Sequence, residues 1–166
     1  MISYGLIKLT MDINIRSAKK EDMKRVHELI MELAKYEKLP EEVDLNTNDL
    51  IKDGFGEKKL FNCFVAEVNS RVEGMAIIYN RYSTWKGQTL HLEDLIVTKK
   101  MRNKGVGALL LDKVIFFGKK MGVKRITWEV IDWNKKAIKF YERKGARLID
   151  DWSIIHLNEK AIKNYH

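Results

Sequence analysis

Arg102-Asn103-Lys104-Gly105-Val106-Gly107 separates a strand-like run that ends at Val97 from a helical pattern that opens at Lys104. Glycines let a backbone turn tightly and approach a ligand within hydrogen-bonding distance, and the unpaired N–H groups of a helix start present partial positive charge. The stretch reads as an anion loop with phosphate as its expected guest; the alternative for a Gly-x-Gly at a helix start is a plain turn. Two better-known phosphate loops do not fit. A dinucleotide pattern would need glycine at Leu110, and no Gly-Lys-Ser/Thr exists for a P-loop.

On the N-terminal side, Leu60–Val68, Arg71–Asn80 and Gln88–Val97 are rich in β-branched and aromatic residues and predict three strands, the first two joined at Asn69-Ser70 as a tight antiparallel hairpin. Residues 37–57 form an irregular or partly helical stretch with seven acids against two lysines, whose plainest reading is a solvated acidic surface. Met23, Val26, Leu29, Ile30, Leu33 and Tyr36 recur at helical spacing, and Pro40 closes the stripe. Ile13-Asn14-Ile15-Arg16 alternates as a short strand. Met11 opens a cleaner beginning than Met1, so residues 1–10 read as a short N-terminal extension or a misassigned start, and 11–166 as a single domain.

On the C-terminal side, Val106, Leu109, Leu110, Val114, Phe117 and Met121 mark a helix with Gly122 just past its end. Lys124–Ile131 predicts a strand, Ala137, Ile138, Phe140 and Tyr141 a helix that stops at Gly145, and Arg147–Leu157 a last strand. The order β, α, loop, β, β, β, α, β, α, β predicts an α/β domain with a mixed sheet covered by helices.

The chain has 166 residues, 45% hydrophobic and 33% charged, with net charge +8, which suits one folded domain and excludes a disordered chain. Cys63 is the only cysteine, so no internal disulfide forms, and it reads as a buried small apolar residue. The histidines are scattered at His27, His91, His156 and His166, so neither a metal site nor a His-centred triad is expected. Apolar runs are far shorter than the ~20 residues of a membrane span and the start lacks a signal-peptide core, so no membrane is expected and the cytoplasm is the default compartment. Fifteen Lys/Arg against four Asp/Glu lie between Thr98 and Leu148, leaving the remainder slightly acidic. That split suggests a polyanion at the basic half and a cation at the acidic stretch. Nucleic acid is disfavoured as the polyanion, for want of a finger, a recognition helix or an RRM signature.

The loop resembles the acyl-CoA pyrophosphate loop of the GCN5-related N-acetyltransferase (GNAT) superfamily. Glu32-Leu33-Ala34-Lys35-Tyr36-Glu37, Asp53-Gly54-Phe55-Gly56-Glu57, Leu92-Glu93-Asp94, Trp133-Asn134 and Phe140-Tyr141-Glu142-Arg143-Lys144-Gly145-Ala146 extend the likeness over residues 13–157 to the diamine branch, the spermidine/spermine and thialysine acetyltransferases. The resemblance implies a GNAT fold with a central, mostly antiparallel mixed sheet, acetyl-CoA as cosubstrate, a small-molecule amine as acceptor, and a homodimer. It implies that backbone groups of Leu95, Ile96 and Val97 pair with the pantetheine arm, and that the amides of Asn103, Lys104, Gly105, Val106, Gly107 and Ala108 hold the pyrophosphate, with charge from Arg102 and Lys104. Asn134 matches the asparagine near the pantetheine arm, with a helix cap as its other role.

Acyl transfer to an amine needs an acceptor that has lost a proton, and an ammonium of pKa ~10.4 holds its proton at neutral pH. By resemblance, Glu93 is the base, through a water, and Tyr141 the acid for the departing thiolate; the plain readings are an exposed strand carboxylate and a packed ring. Tyr36, Glu37, Glu93, Asp94, Asp150, Asp151 and Trp152 form the acidic and aromatic set expected around an extended polyamine or a lysine-like cation. The sequence departs from the branch in a shorter segment before Trp152 with aspartates where glutamate is typical, in the tight hairpin, and in His91, which replaces an aromatic. Other readings are a protein N-terminal or lysine side-chain acetyltransferase, and a non-catalytic CoA-binding or nucleic-acid-binding regulator.

Overall fold

Asn69 and Ser70 both adopt left-handed backbone, with φ of 49° and 62°, as a two-residue hairpin needs to match the right-handed twist of its strands. They join β2 (Asn62–Val68) to β3 (Arg71–Ser83), and the chain returns as β4 (Gly87–Val97). β1 (Ile13–Ser17) pairs with the free side of β2, so four strands run antiparallel, and β5 (Ile126–Thr127) joins β4 in parallel. The computed structural model describes residues 11–166; the segment 1–10, read above as an extension, lies outside the described residues. The helices are α1 (Met23–Glu37), α2 (Thr47–Phe55), α3 (Val106–Met121), α4 (Lys135–Arg143) and α5 (Glu159–Lys163). The chain divides into two compact units, residues up to Glu129 and Val130–His166.

In the first unit the period of two along the strands sets both layers. Cys63 and Val65 of β2 join Met75 and Ile77 of β3, Ile96 of β4, Met23, Val26 and Leu29 of α1, and Leu50 of α2 in one core. Phe64, between them in sequence, turns to the other face and meets Phe117 of α3 edge-on at 5.5 Å, where Val106, Leu110, Leu111 and Val114 are fully buried. Burying such a side chain contributes about 1.5–3 kcal/mol, and a one-residue slip of β2 would exchange the two faces, so burial fixes the register. Burial pushes the Cys63 thiol up to about 12, helped by the charges of Asp22 and Asp94, as suits a residue that serves as packing.

The acidic stretch contains α2, started by a reciprocal cap. Asn46 Oδ1 accepts from the Asn48 and Asp49 amides at 2.8 and 3.3 Å, and the Asp49 carboxylate accepts from the Asn46 amide at 3.0 Å. Two expectations fail. The strand predicted over Lys124–Ile131 is only Ile126–Thr127, and the strand over Arg147–Leu157 does not form: those residues are irregular, with Trp152, Ile154, Ile155 and Leu157 exposed. An alternating apolar pattern becomes a strand only beside a partner. The described residues of the second unit supply helices and no strand. α5, capped by Asn158 through the Ala161 amide at 2.9 Å, was not predicted.

Candidate active site

The turn that leads β4 into α3 is anchored by a buried carboxylate. Glu73 of β3, only 3% exposed, accepts the Thr98 hydroxyl at 2.8 Å and lies 2.7 Å from Lys100 Nζ, while its backbone carbonyl accepts the Thr98 amide at 2.8 Å. Burial pushes this carboxyl up, but the Lys100 ammonium and the Thr98 hydroxyl outweigh it and hold the group below the usual carboxylate range. The sequence reading missed Glu73; its signal was a charge inside the strand run Val72-Glu73-Gly74-Met75.

Beyond this clamp Asn103 and Gly105 take φ of 61° and 84°. α3 begins at Val106 with no side-chain cap on Gly105, and Leu109 N–H donates to Gly105 O at 3.1 Å. The amides of Val106, Gly107 and Ala108 therefore have no helical carbonyl one turn back, and they carry the positive end of the helix dipole. Gly105 is the glycine the backbone conformation demands, since a Cβ on Gly107 would meet nothing nearer than 3.7 Å. Arg102 turns back from the loop: its Nε donates to Val97 O at 3.1 Å and its guanidinium lies 5.0 Å from the centroid of the Tyr36 ring. Lys104 is exposed.

β4 is paired with β3 along its length, whereas β5 pairs with its other side only at Leu90 and His91. Among the described residues the outer edge from Leu95 to Val97 has no strand beside it, so its amide and carbonyl groups form a ready edge for an amide-bearing ligand. Ile77 pairs with Asp94 and Ile78 with Leu92, which leaves Glu93 as the extra residue of a β-bulge. A bulge re-aims side chains, and Glu93 is 53% exposed at its side chain.

Carboxyl groups gather around that bulge. Burial raises the Tyr79 hydroxyl, reinforced by the nearby charge of Glu93. Burial pushes Asp94 up to about 7, reinforced by the charges of Glu93 and of Glu37 at the end of α1, and burial also raises Glu37. The first unit thus brings together Tyr36, Glu37, Glu93 and Asp94, the β4 edge and the anion loop. Tyr79 and His91 adjoin Glu93, Glu129 adjoins His91, and none of the three has a role in the sequence analysis.

The second unit holds the remaining candidates. Asn134 Oδ1 accepts from the Ala137 amide at 3.2 Å, which makes it the cap of α4. Tyr141 lies in α4, half-buried, its ring 5.1 Å from that of Phe140. Asp150, Asp151 and Trp152 are exposed in the irregular segment. Among the described residues no group of three or more His, Cys, Asp or Glu is placed to hold a metal ion, and no helix is long and apolar enough to cross a membrane.

An open strand edge that runs into an uncapped helix start suits a ligand carrying amides at one end and phosphates at the other. Residues 23–146 match the model of the acetyltransferase (GNAT) family. The chain belongs to that family. It is 38% identical, over 81% of its own length and 84% of the relative's, to thialysine N-epsilon-acetyltransferase of Bos taurus. It is 33% identical to a human spermidine/spermine N(1)-acetyltransferase-like protein 1, over 86% of this chain and 22% of that longer protein. Among solved structures, an aminoglycoside N-acetyltransferase in complex with CoA superposes with a TM-score of 0.73 at 17% identity, over 93% of this chain and 99% of the other. That likeness establishes the GNAT fold expected from the sequence, and family membership makes the chain an acetyltransferase.

Proposed function

We propose that this acetyltransferase moves acetyl from acetyl-CoA to a primary amine of a small polyamine, diamine or lysine-like molecule, by direct attack of the amine on the thioester. The observation that carries the reading is one strand with two complementary fields: the carboxyls of Glu37, Glu93 and Asp94 around its bulge, and the uncapped start of α3 beyond its end. A polycation suits the first and a pyrophosphate the second. The thialysine and spermidine/spermine acetyltransferase names of its relatives support the same acceptor class.

In this reading the amides from Asn103 to Ala108 bind the pyrophosphate, and backbone groups of Leu95, Ile96 and Val97 align the pantetheine arm and polarise the thioester carbonyl. The family resemblance adds Asn134 as a further residue for that arm. Acetyl-CoA supplies an acyl group already activated as a thioester. Glu93 takes the proton of the acceptor ammonium through a water, and Tyr141 gives its hydroxyl proton to the leaving thiolate. Tyr36, Glu37 and Asp94, with Asp150, Asp151 and Trp152, hold the rest of the acceptor. The same reading takes the protein to be a cytoplasmic homodimer; sedimentation at twice the 19.5 kDa chain mass tests the assembly.

The deciding experiment is the initial rate of CoA release from acetyl-CoA with spermidine, spermine, a short diamine, thialysine, lysine and a basic peptide, against an amine-free control. Preference for a free amine is expected. Preference for the peptide, or no release by a protein that binds acetyl-CoA, overturns the acceptor assignment.

A further inference from the structure

Acetylation of an ammonium leaves a proton over. Of the three protons on the acceptor nitrogen, one stays on the amide, one accounts for that on the released thiol, and one must reach solvent in every turnover. A carboxylate that takes this proton from an amine must give it up before the next cycle.

His91 lies where such a proton would go. It sits at the last residue pair joining β4 to β5, before the two strands part. Its side chain is 3% exposed, and its Nε2 lies 3.6 Å from Glu93 Oε2 and 3.8 Å from Glu129 Oε2. On the other side of the ring, Nδ1 is hydrogen-bonded to the Thr127 hydroxyl at 3.1 Å. A hydroxyl both donates and accepts, so Thr127 satisfies Nδ1 with or without a proton there, and Nε2 is left able to take a proton or release one. The Tyr79 ring of β3 packs on the imidazole at 5.0 Å between centroids and keeps it in place. The titratable groups around it are Tyr79 from β3, Glu93 from β4 and Glu129 following β5, with the Arg81 charge acting on Tyr79.

We propose that His91 is a relay residue that acts through Glu93: as the side chains close from these distances to hydrogen-bond reach, its Nε2 receives the acceptor's proton from the Glu93 carboxyl and passes it to Glu129, from which it leaves to solvent. The relay resets Glu93 as a carboxylate and leaves His91 neutral, so no atom or electron is unaccounted for. It rests on the proposed reading of Glu93 as the base. Glu129, 58% exposed at its side chain, is the exit to solvent.

The test compares amine-dependent CoA release by wild type, His91→Phe and Glu129→Gln, at low and high concentrations of imidazole buffer. Phe keeps a ring against Tyr79 but cannot carry a proton. The expected result is a kcat lowered roughly tenfold in His91→Phe and several-fold in Glu129→Gln, with KM for acetyl-CoA unchanged. Both losses recover as imidazole is raised, whereas wild type is insensitive to it. A packing role would not move the buffer response. Because Glu129 is exposed, Glu129→Gln carries the test even where His91→Phe fails to fold. The relay is overturned by a His91→Phe kcat within twofold of wild type, by a loss that buffer does not repair, or by a Glu129→Gln enzyme without a defect at low buffer. Wild type that releases CoA with no amine refutes the acceptor reading and the relay together; normal wild-type turnover with unaffected variants refutes the relay alone.

Discussion

The two ends of the site on β4 are made of different materials. The anion loop after Val97 is backbone: left-handed Asn103 and Gly105, an uncapped helix start, and amides whose direction follows from the turn. The acceptor mouth at Glu93 is side chain: carboxyls from α1 and β4, a phenol from β3 and an imidazole set at the strand junction. A backbone site recognises a chemical group common to many ligands, and a side-chain site can be re-specified by a few substitutions. Substitutions can therefore re-specify the second end more readily than the first.

The largest expected effect tests whether catalysis belongs to neither end alone. Tyr141→Phe lowers kcat about 100-fold while KM for acetyl-CoA changes less than about threefold, measured where chemistry limits the rate. A wild-type kcat would remove the acid role. Next, Gly105→Val breaks the backbone end selectively: left-handed backbone costs a non-glycine residue about 1–2 kcal/mol, more when β-branched, and the φ of 84° requires it. KM for acetyl-CoA should rise about tenfold with KM for the amine unchanged, and a matching rise in both would show that the ends are not separable.

Two smaller effects sharpen the contrast through pH. Glu73→Ala removes the clamp beneath the loop and leaves Thr98 and Lys100 without their buried acceptor, a loss of about 1–3 kcal/mol in urea unfolding at pH 7. Because the folded state holds the Glu73 carboxyl below its ordinary value, its contribution is present above the unfolded pKa and lost as pH falls through the folded one. Glu73→Gln should therefore flatten part of the acid limb of stability. Asp94 has the opposite sign. With its carboxyl raised to about 7 in the folded state, stability falls as pH rises from the ordinary carboxylate value to about 7 and stays lower above it. Asp94→Asn should raise Tm by a few degrees at pH 8 and leave it nearly unchanged at pH 3, a difference that differential scanning calorimetry resolves.

What the sequence disclosed follows the same division. The α1 stripe, the Asn69-Ser70 hairpin and the loop at Gly105 are local patterns, since the residues that decide them lie within a few positions of one another. Glu73 with Thr98 and Lys100, or His91 with Thr127 and Glu129, meet only once strands are in register, and periodicity carries no trace of those partnerships. The bulge at Glu93 is hidden for the same reason, because an extra residue exists only relative to the strand opposite. The alternation over Arg147–Leu157 misled in the reverse sense: it reports a capacity to pair, and pairing needs a neighbour. The roles proposed for Glu93, Asp94 and Tyr141 come from family resemblance, since no local pattern singles these residues out.

Burial of Cys63 has a consequence for how such an enzyme lives with its own cosubstrate. A thioester acylates any accessible thiolate, and thiol-directed reagents that report CoA release also modify exposed cysteines. With the chain's only sulfhydryl 6% exposed and its pKa pushed up to about 12, the protein offers neither an unwanted acyl acceptor nor a background signal. A colorimetric thiol assay of the folded enzyme thus counts product alone.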